Sequence, residues 1–355
     1  MKPQADERLA DLVSFGVLAK AFPSELVDDV VAACGRVERR SRLLSAQLTV
    51  YFVLGLALFS SESYEDIIRH LAAAFAWGER RHEEWRPPTK AALFKARVRL
   101  GPQVMKELFA RVAGRPLGPT TGPGGLRVVT VDEAALTVPD TADNAVAFDV
   151  PELAVAREIP AWPRIRVMTL VDCGAQAILA AQLGAQRGRL PMVADLLQEL
   201  EPSMLLVSNR NSFLYELWTR GKVAGAQVCC RVSETSALPN LGTLPDGSYR
   251  SRVYLGSKAQ PHDVAGTDVR VVPCLDAAGE DHRWLVTTLL DPEAATAGDL
   301  AAASSQPQGI EPIFAELMPQ SPIHGLVLRS KSPDLVHQET WSYLCVHHAI
   351  RWLRS

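Results

Sequence analysis

Three positions in the later part of the chain carry the side chains with the clearest chemical potential. Asp132 closes the apolar run Val-Thr-Val-Asp, and Glu311 stands beside a late predicted helix. Carboxylates that converge on a pair of Mg²⁺ ions support displacement at a phosphodiester, because the metals activate the attacking oxygen and stabilise the leaving one. Asn209, at the end of another predicted strand, offers one neutral carbonyl oxygen where such a centre needs a third carboxylate.

The apolar pattern around these positions predicts two kinds of structure. Up to about Leu117, apolar residues recur every three or four positions, as in helices. A run rich in glycine and proline, Gly114–Gly125, then predicts a linker. The helices predicted in the first part are Leu9–Lys20, Ser24–Cys34, Ser45–Ser60, Tyr64–Trp77, Lys90–Leu100 and Gln103–Val112.

The later elements follow the order three strands, helix, strand, helix, strand and a late helix, which is the order of the ribonuclease-H-like fold. A β-rich stretch interrupts this order before the closing helices. The predicted strands are Leu126–Val131 (ending at Asp132), Arg164–Val171, Ala177–Leu183, Met204–Ser208, Gln227–Val232, Tyr249–Leu255, Val269–Leu275 and Arg283–Leu290. The predicted helices are Pro191–Leu200, Phe213–Val223, Pro292–Ala303, Ile310–Leu317 and Pro333–Leu353.

These elements predict an α+β protein in several parts. We expect an all-helical N-terminal domain over 1–117 and a linker over 118–125. A ribonuclease-H-like α/β domain would cover 126–232 and 291–355. The β-rich insertion over 233–290 would precede the last catalytic helix.

Composition favours an ordinary cytoplasmic globular protein. The 355 residues are 47% hydrophobic and carry a net charge of −3. The apolar stretch Leu43–Phe59 is slightly short for a membrane span and contains four polar side chains, which predicts a buried core helix and no membrane association. The six cysteines show no CxxC pair, which favours reduced, mostly buried thiols. No secretory signal, G-x-S-x-G elbow, P-loop or dinucleotide fingerprint is evident.

Charge is distributed unevenly along the chain. Residues 1–125 hold 18 basic and 14 acidic side chains, a balance of +4, whereas the remainder holds 19 basic and 26 acidic ones, a balance of −7. If DNA is the partner, its phosphates should be met mainly by the N-terminal part.

Several blocks of residues resemble transposases of the bacterial "insertion sequence four" group. Val129–Thr141, with Asn144 and Phe148 after it, is similar to the block of that family that carries its first aspartate. Leu205–Trp218 resembles the second block, which normally reads Asp-Arg-Gly-Phe before a Tyr-Glu-Leu-Trp-like helix. Further blocks are Pro88–Gly101, Pro245–Arg252, Thr287–Glu293 and Leu328–Asp334, so the resemblance extends from about Leu12 to Leu353.

The resemblance implies cut-and-paste DNA transposition by a DDE centre. Asp132 and Glu311 would bind Mg²⁺, and Asn209 occupies the position of the second aspartate. Double-stranded transposon ends would be the partner, the protein could dimerise on them, and it would lie on the nucleoid when bound. The insertion would help to hold a DNA end. The residues that the resemblance places at DNA, each of which could instead belong to a solvated face, are Lys90, Lys95, Arg97, Arg99, Arg210, Arg329 and Lys331.

Departures from the family pattern predict that catalysis is lost or severely reduced. Besides Asn209, the positions of the third block's tyrosine, arginine and lysine are held by Ser304, Pro307 and Met318. Loss of one anion weakens Mg²⁺ binding, and loss of the cations removes partners for phosphate. Two alternatives to an active transposase follow, a co-opted DNA-binding protein without enzymatic activity and a relic without a function.

Overall fold

The structure is a computed structural model, and it describes a large part of the chain. The described residues are 15–40, 42–74, 87–113, 122–150, 162–185, 189–208, 224–232, 238–253, 266–275, 282–305, 314, 317, 320–321 and 325–354.

The first part of the chain is helical, as predicted. Helices α5 (Lys90–Leu100) and α6 (Gln103–Val112) have the predicted bounds. Ser45 and Thr89 cap α3 (Ala46–Leu58) and α5 by accepting backbone N–H groups three residues on, at 3.2 Å in each case. Nearly all of α3 is buried, which confirms the prediction of a core helix there. The helices are α1 (Phe15–Ala21), α2 (Ser24–Ala33), α3 (Ala46–Leu58), α4 (Tyr64–Ala74), α5 (Lys90–Leu100) and α6 (Gln103–Val112).

A nine-stranded mixed sheet follows, in the order β3-β2-β1-β4-β5-β9-β8-β7-β6. Strand β1 pairs antiparallel with β2 and parallel with β4, and β4 pairs parallel with β5. The strands are β1 (Arg127–Thr137), β2 (Arg164–Asp172), β3 (Ala177–Gly184), β4 (Met204–Ser208), β5 (Gln227–Val232), β6 (Gly242–Thr243), β7 (Tyr249–Val253), β8 (Thr267–Leu275) and β9 (His282–Thr287). A separate small ladder joins β10 (Gln320–Ser321) and β11 (Gly325–Leu326).

The predicted end of the first strand is wrong. Strand β1 continues beyond Asp132 to Thr137, so Asp132 lies within the strand. The reason is tertiary: β2 pairs with β1 without interruption from Val129 to Thr137, and Ala134 and Leu136 are buried in the core beyond Asp132.

The predicted β-rich stretch extends the same sheet. Strand β9 pairs antiparallel with β5, and β8, β7 and β6 follow it in order. All three predicted strands are present with shifted ends, and β6 was not predicted. The insertion therefore covers the edge that β5 would otherwise expose to another chain.

Helices cover both faces of the sheet. Helix α8 (Arg189–Leu196) packs with Val129 and Met168 on one face, and α9 (Ala297–Ser305) packs with Val128 and Leu205 on the other. Helix α9 begins five residues later than predicted because Thr296 and Asp299 cap it reciprocally. The short helix α7 (Ala142–Ala147) was not predicted. The predicted helices Phe213–Val223 and Ile310–Leu317 lie outside the described residues, apart from helical Phe314 and Leu317.

The last helix, α10 (Pro333–Arg354), is the centre of the largest hydrophobic core. It is buried from Leu335 to Ile350 except at His337, and it packs against α3 and α6. The same core contains Leu136 and Ile165 of the sheet, so the N-terminal helices and the sheet share one apolar interior.

Buried cysteines and apolar helices agree with the sequence analysis. Cys173, Cys229, Cys230 and Cys345 are buried, as predicted for most of the thiols, and Cys34 is half-buried. Burial raises the pKa of Cys173 to about 12, which keeps its thiol protonated. Among the described helices, none combines the length and apolar character that a membrane crossing requires.

The burial of His347 on α10 predicts a pH dependence of stability. Its Nε2 lies 3.1 Å from the carbonyl oxygen of Gln176, and burial together with the charge of Arg351 lowers its pKa from the usual 6.5 to about 3. Between about pH 3 and 6.5 the unfolded chain therefore binds a proton that the folded protein does not. Stability should be complete above this window and should fall as the pH falls through it.

Comparison with His347→Gln isolates this contribution. Urea unfolding at pH 4 and pH 7 should show a larger loss of unfolding free energy for the natural protein than for the variant. Parallel pH profiles for the two proteins would contradict the assignment.

Candidate functional site

Asp132 lies where two cores meet on one face of the sheet. Because side chains alternate along a strand, Asp132 points to the same face as Val128 and Leu136. Val128 packs with α9, whereas Leu136 belongs to the core around α10. Asp132 itself is half-buried and lies opposite the fully buried Thr169 of β2. A carboxylate is thus held on a rigid strand between two helical layers.

The ends of two parallel strands lie beside Asp132. Thr130 of β1 is paired with Val207 of β4, and Val207 is paired with Cys229 of β5. Strand β4 ends one residue later, at Ser208. Side chains at the carboxyl ends of these strands therefore converge at one edge, the usual place for a ligand site in parallel sheets.

Arg231 is a cation at this edge that the sequence analysis missed. It follows buried Cys229 by two residues on β5 and shares its face. Its guanidinium donates to the hydroxyl and the carbonyl oxygen of Ser304 on α9, at 3.2 and 3.5 Å. Ser304, the residue that the resemblance aligned with the family's tyrosine, is buried. The only sequence signal for Arg231 was its position at the end of a predicted strand.

Most of the predicted catalytic set lies outside the described residues. This holds for Asn209, Arg210 and Glu311, and also for Pro307 and Met318. Within the part of the chain that the structure describes, no group of three or more His, Cys, Asp or Glu side chains could hold a metal ion.

Glu133, the carboxylate next to Asp132, does not complete a metal set. It points to the opposite face of β1 by alternation. Its two oxygens pair with Arg166 and with Arg189, the latter at 2.8 Å from Nε. These contacts engage both carboxylate oxygens in ion pairs within the protein.

The predicted DNA-contacting face of α5 is only partly exposed. Lys90 and Lys95 are exposed, and Arg99 is half-buried. Arg97 is 1% exposed, so the prediction that its side chain lies on a solvated face is wrong. The error arose because Leu93, Ala96 and Leu100 alone satisfied a core-facing stripe, whereas α10 also covers the next position around the helix.

Arg97 is held by a buried polar network that joins α5 to α10. Its guanidinium donates to Gln338 Oε1 at 2.8 Å, Ser330 Oγ at 3.0 Å, Leu335 O at 3.1 Å and Tyr64 Oη at 3.2 Å. The hydroxyl and backbone N–H of Ser330 in turn donate to Glu339 Oε2, at 2.5 and 2.9 Å. The network therefore connects a buried positive charge to a buried negative one.

Arg329 and Lys331, two further predicted DNA contacts, also differ in their exposure. Arg329 donates to the carbonyl oxygen of Leu56, in the last turn of α3, at 2.9 Å and to that of Glu62, beyond the end of α3, at 2.7 Å. Its guanidinium lies 5.5 Å from the ring centre of Tyr64. These contacts give Arg329 a structural role at the end of α3. Lys331 is exposed.

Comparisons with known proteins concern both the N-terminal part and the whole chain. Residues 12–110 match the family model described as insertion element 4 transposase N-terminal. Over 337 residues, 92% of this chain and 74% of the relative, the sequence is 23% identical to the transposase InsG for insertion sequence element IS4 of Escherichia coli strain K12.

Two solved structures are also similar. One is the piggyBac transposase in a synaptic complex with hairpin DNA, with a TM-score of 0.43, 11% identity, and coverage of 99% of this chain and 77% of that one. The other is the endonuclease V of Streptomyces avermitilis, with a TM-score of 0.26, 15% identity, and coverage of 59% and 84%. At these TM-scores, neither likeness defines the fold of this chain.

The network around Arg97 predicts a large effect on stability. Arg97→Met removes one partner of a buried charged network and leaves Glu339 and Gln338 without it, which should cost about 3 to 5 kcal/mol. Lys95→Met, at an exposed position of the same helix, should change stability by less than about 0.5 kcal/mol. Urea unfolding of the two variants measures the difference, and a cost below about 1 kcal/mol for Arg97→Met would contradict this role.

Proposed function

We propose that this chain is a DNA-binding relative of the insertion-sequence-4 transposases whose own centre for strand cleavage is inactive. The observation that carries this proposal is the neutral Asn209 directly after β4, the strand that pairs parallel with the strand of Asp132. Like a transposase, the protein would bind double-stranded DNA, but it would not cleave the strands.

The sheet supports a ribonuclease-H-like assignment for the central part. Its first five strands have the order β3-β2-β1-β4-β5, with β2 antiparallel to its neighbours and β1, β4 and β5 parallel. In this assignment the carboxylates of the site come from the first strand, the end of the fourth strand and a late helix. These positions correspond to Asp132, Asn209 and Glu311.

Asp132 and Glu311 are the residues that would hold Mg²⁺. The ion would supply an activated attacking oxygen and charge stabilisation at the leaving oxygen. Asp132 fits this role because it is half-buried on a rigid strand at the edge where parallel strands end. The donor set as a whole does not fit, because Asn209 contributes no negative charge to a hard cation that binds few protein ligands.

Substrate phosphates would also lose two of the family's cationic partners near the site. The family's arginine and lysine of the third block are replaced by Pro307 and Met318. Arg231 is a described cation at this edge, and its Nη2 donates to Ser304. The proposal therefore rests on two independent losses, one of an anion for the metal and one of cations for phosphate.

DNA binding is proposed to remain. Lys90, Lys95 and Lys331 are exposed basic residues among the described ones that the family resemblance places at DNA, and Arg210 is a further candidate. The N-terminal balance of +4 agrees with contact there. As part of the same hypothesis, we propose that the protein forms a homodimer on the DNA and that the chain divides into the domains predicted from the sequence.

Restoring the missing anion tests the proposal. Asn209→Asp should bind Mn²⁺ at least about tenfold more tightly than the natural protein, because the loss of even an outer-shell partner costs that much. Asp132→Asn combined with Asn209→Asp should remove the gain. Calorimetric titration with Mn²⁺ measures both effects.

Cleavage provides the second measurement. With Mg²⁺ or Mn²⁺, and with duplexes that carry the inverted repeats flanking the coding region, the natural protein should cleave no faster than Asp132→Asn. Strand cleavage by the natural protein above that control would overturn the inactivity and favour an active transposase.

A further inference from the structure

A basic cleft of about 390 Å³ lies between the loop after α2 and the end of α5. Of the arginines in the cleft, only Arg99 is predicted from the sequence to contact DNA. Glu38 is the carboxylate that lines the cleft, and Asp28 and Asp29 line an adjoining depression that shares Arg39, Arg40 and Arg42 with it. The arginines that line the cleft are Arg36, Arg39, Arg40, Arg42 and Arg99.

Two of the arginines fix the shape of the cleft. Arg36 donates to the carbonyl oxygen of Arg99 at 3.3 Å, and its guanidinium lies against Gly101, where an added Cβ would come within 3.2 Å of Nη2. Arg99 donates to the carbonyl oxygen of Leu44 at 3.3 Å. The loop is thus bound to the last turn of α5, whose unpaired carbonyls favour nearby cations.

Glu38 compensates only part of the positive charge. It lies 3.5 Å from both Arg42 and Arg99, so two cations share one carboxylate. Arg39 and Arg40 are exposed, and no described carboxylate pairs with either of them. The cleft therefore holds several guanidinium groups close together without an equal number of anions, an arrangement that an anionic ligand would stabilise.

The chemistry of the guanidinium group favours phosphate as that anion. Its planar fork of donors matches phosphate in two parallel hydrogen bonds. Exposed Lys95 lies one helical turn before Arg99 on α5, so the positive surface continues beyond the cleft. Because the rest of the chain carries a balance of −7, a polyanion is attracted to this N-terminal surface and repelled by the remainder.

We propose that the arginine cleft binds the sugar–phosphate backbone of duplex DNA. This assignment rests on the proposed function, which supplies DNA as the partner, and it names the site that holds the backbone. Arg39 and Arg40 contact phosphates, and Arg36 and Arg99 hold the cleft in shape. Phosphate contacts of this kind position the protein on DNA without reading its sequence.

The test compares two double variants of the full chain that remove the same charge. Arg39→Gln/Arg40→Gln alters the cleft, whereas Arg69→Gln/Arg111→Gln removes two exposed arginines from α4 and α6 of the same N-terminal part. Fluorescence anisotropy is measured with two 30-base-pair duplexes, one with the flanking inverted repeat and one of random sequence, across a range of salt concentrations. Thermal unfolding of each variant verifies its fold.

The cleft variant should bind both duplexes about tenfold more weakly than the natural protein. The slope of log affinity against log salt concentration should fall by about 2, because each phosphate contact contributes about 0.9. The control variant should keep the natural slope. Equal losses in the two variants would show an effect of net charge alone and overturn the assignment.

Further outcomes separate the possible errors. Unchanged binding by the cleft variant, with normal binding by the natural protein, overturns the cleft and leaves the proposed function intact. Failure of the natural protein to bind either duplex at low salt overturns both. Poly-glutamate could also bind the natural protein as tightly as DNA does, with an equal loss of binding in the cleft variant. That result would overturn DNA as the ligand and indicate an acidic protein partner.

Discussion

A charge removed from water must find partners inside the protein, and the structure depends on how Arg97 meets this constraint. Its guanidinium is buried between α5 and α10, where a side-chain amide, two hydroxyls and a backbone carbonyl receive its hydrogen bonds. Ser330, which accepts one of these bonds, in turn donates a hydrogen bond to the buried carboxylate of Glu339. The network draws on three regions of the chain, so it forms only when the N-terminal helices, the loop before α10 and α10 itself are in place. It therefore specifies one arrangement of these elements in addition to stabilising it.

The shared core around α10 determines where the candidate site lies. Helix α10 packs against α3 and α6 on one side, and its core extends to the first strands of the sheet. Helix α9 covers the neighbouring part of the same face. Asp132 is left between these two layers, on a strand that pairs with β2 beyond Asp132 and with β4 up to Thr130. A rigid position of this kind suits a metal ligand, because its geometry does not depend on a loop.

The proposed cleavage site and the arginine cleft differ in the charges they hold. The proposed cleavage site has lost an anion and two cations relative to the family pattern, whereas the arginine cleft retains an excess of positive charge. Strand cleavage needs several charged groups held at one point, so a single substitution removes most of it. Backbone binding is distributed over independent contacts, so it tolerates the loss of one. Under the proposed function, the chain keeps its affinity for DNA after the loss of strand cleavage.

The sequence by itself determined the local structure. Apolar periodicity and cap residues such as Thr89 located the helices, and short apolar runs located most of the strands, because these signals act over a few residues. It also indicated Asp132 and the missing charge at Asn209 through the resemblance to a family. Only the tertiary structure decided that β1 continues past Asp132, that the insertion extends the central sheet and that Arg97 is buried. It also brought Arg36, Arg39 and Arg40 together with Arg99, about sixty positions later. Strand pairing, burial and the clustering of charges are set by contacts between distant segments, and a local pattern contains no record of those contacts.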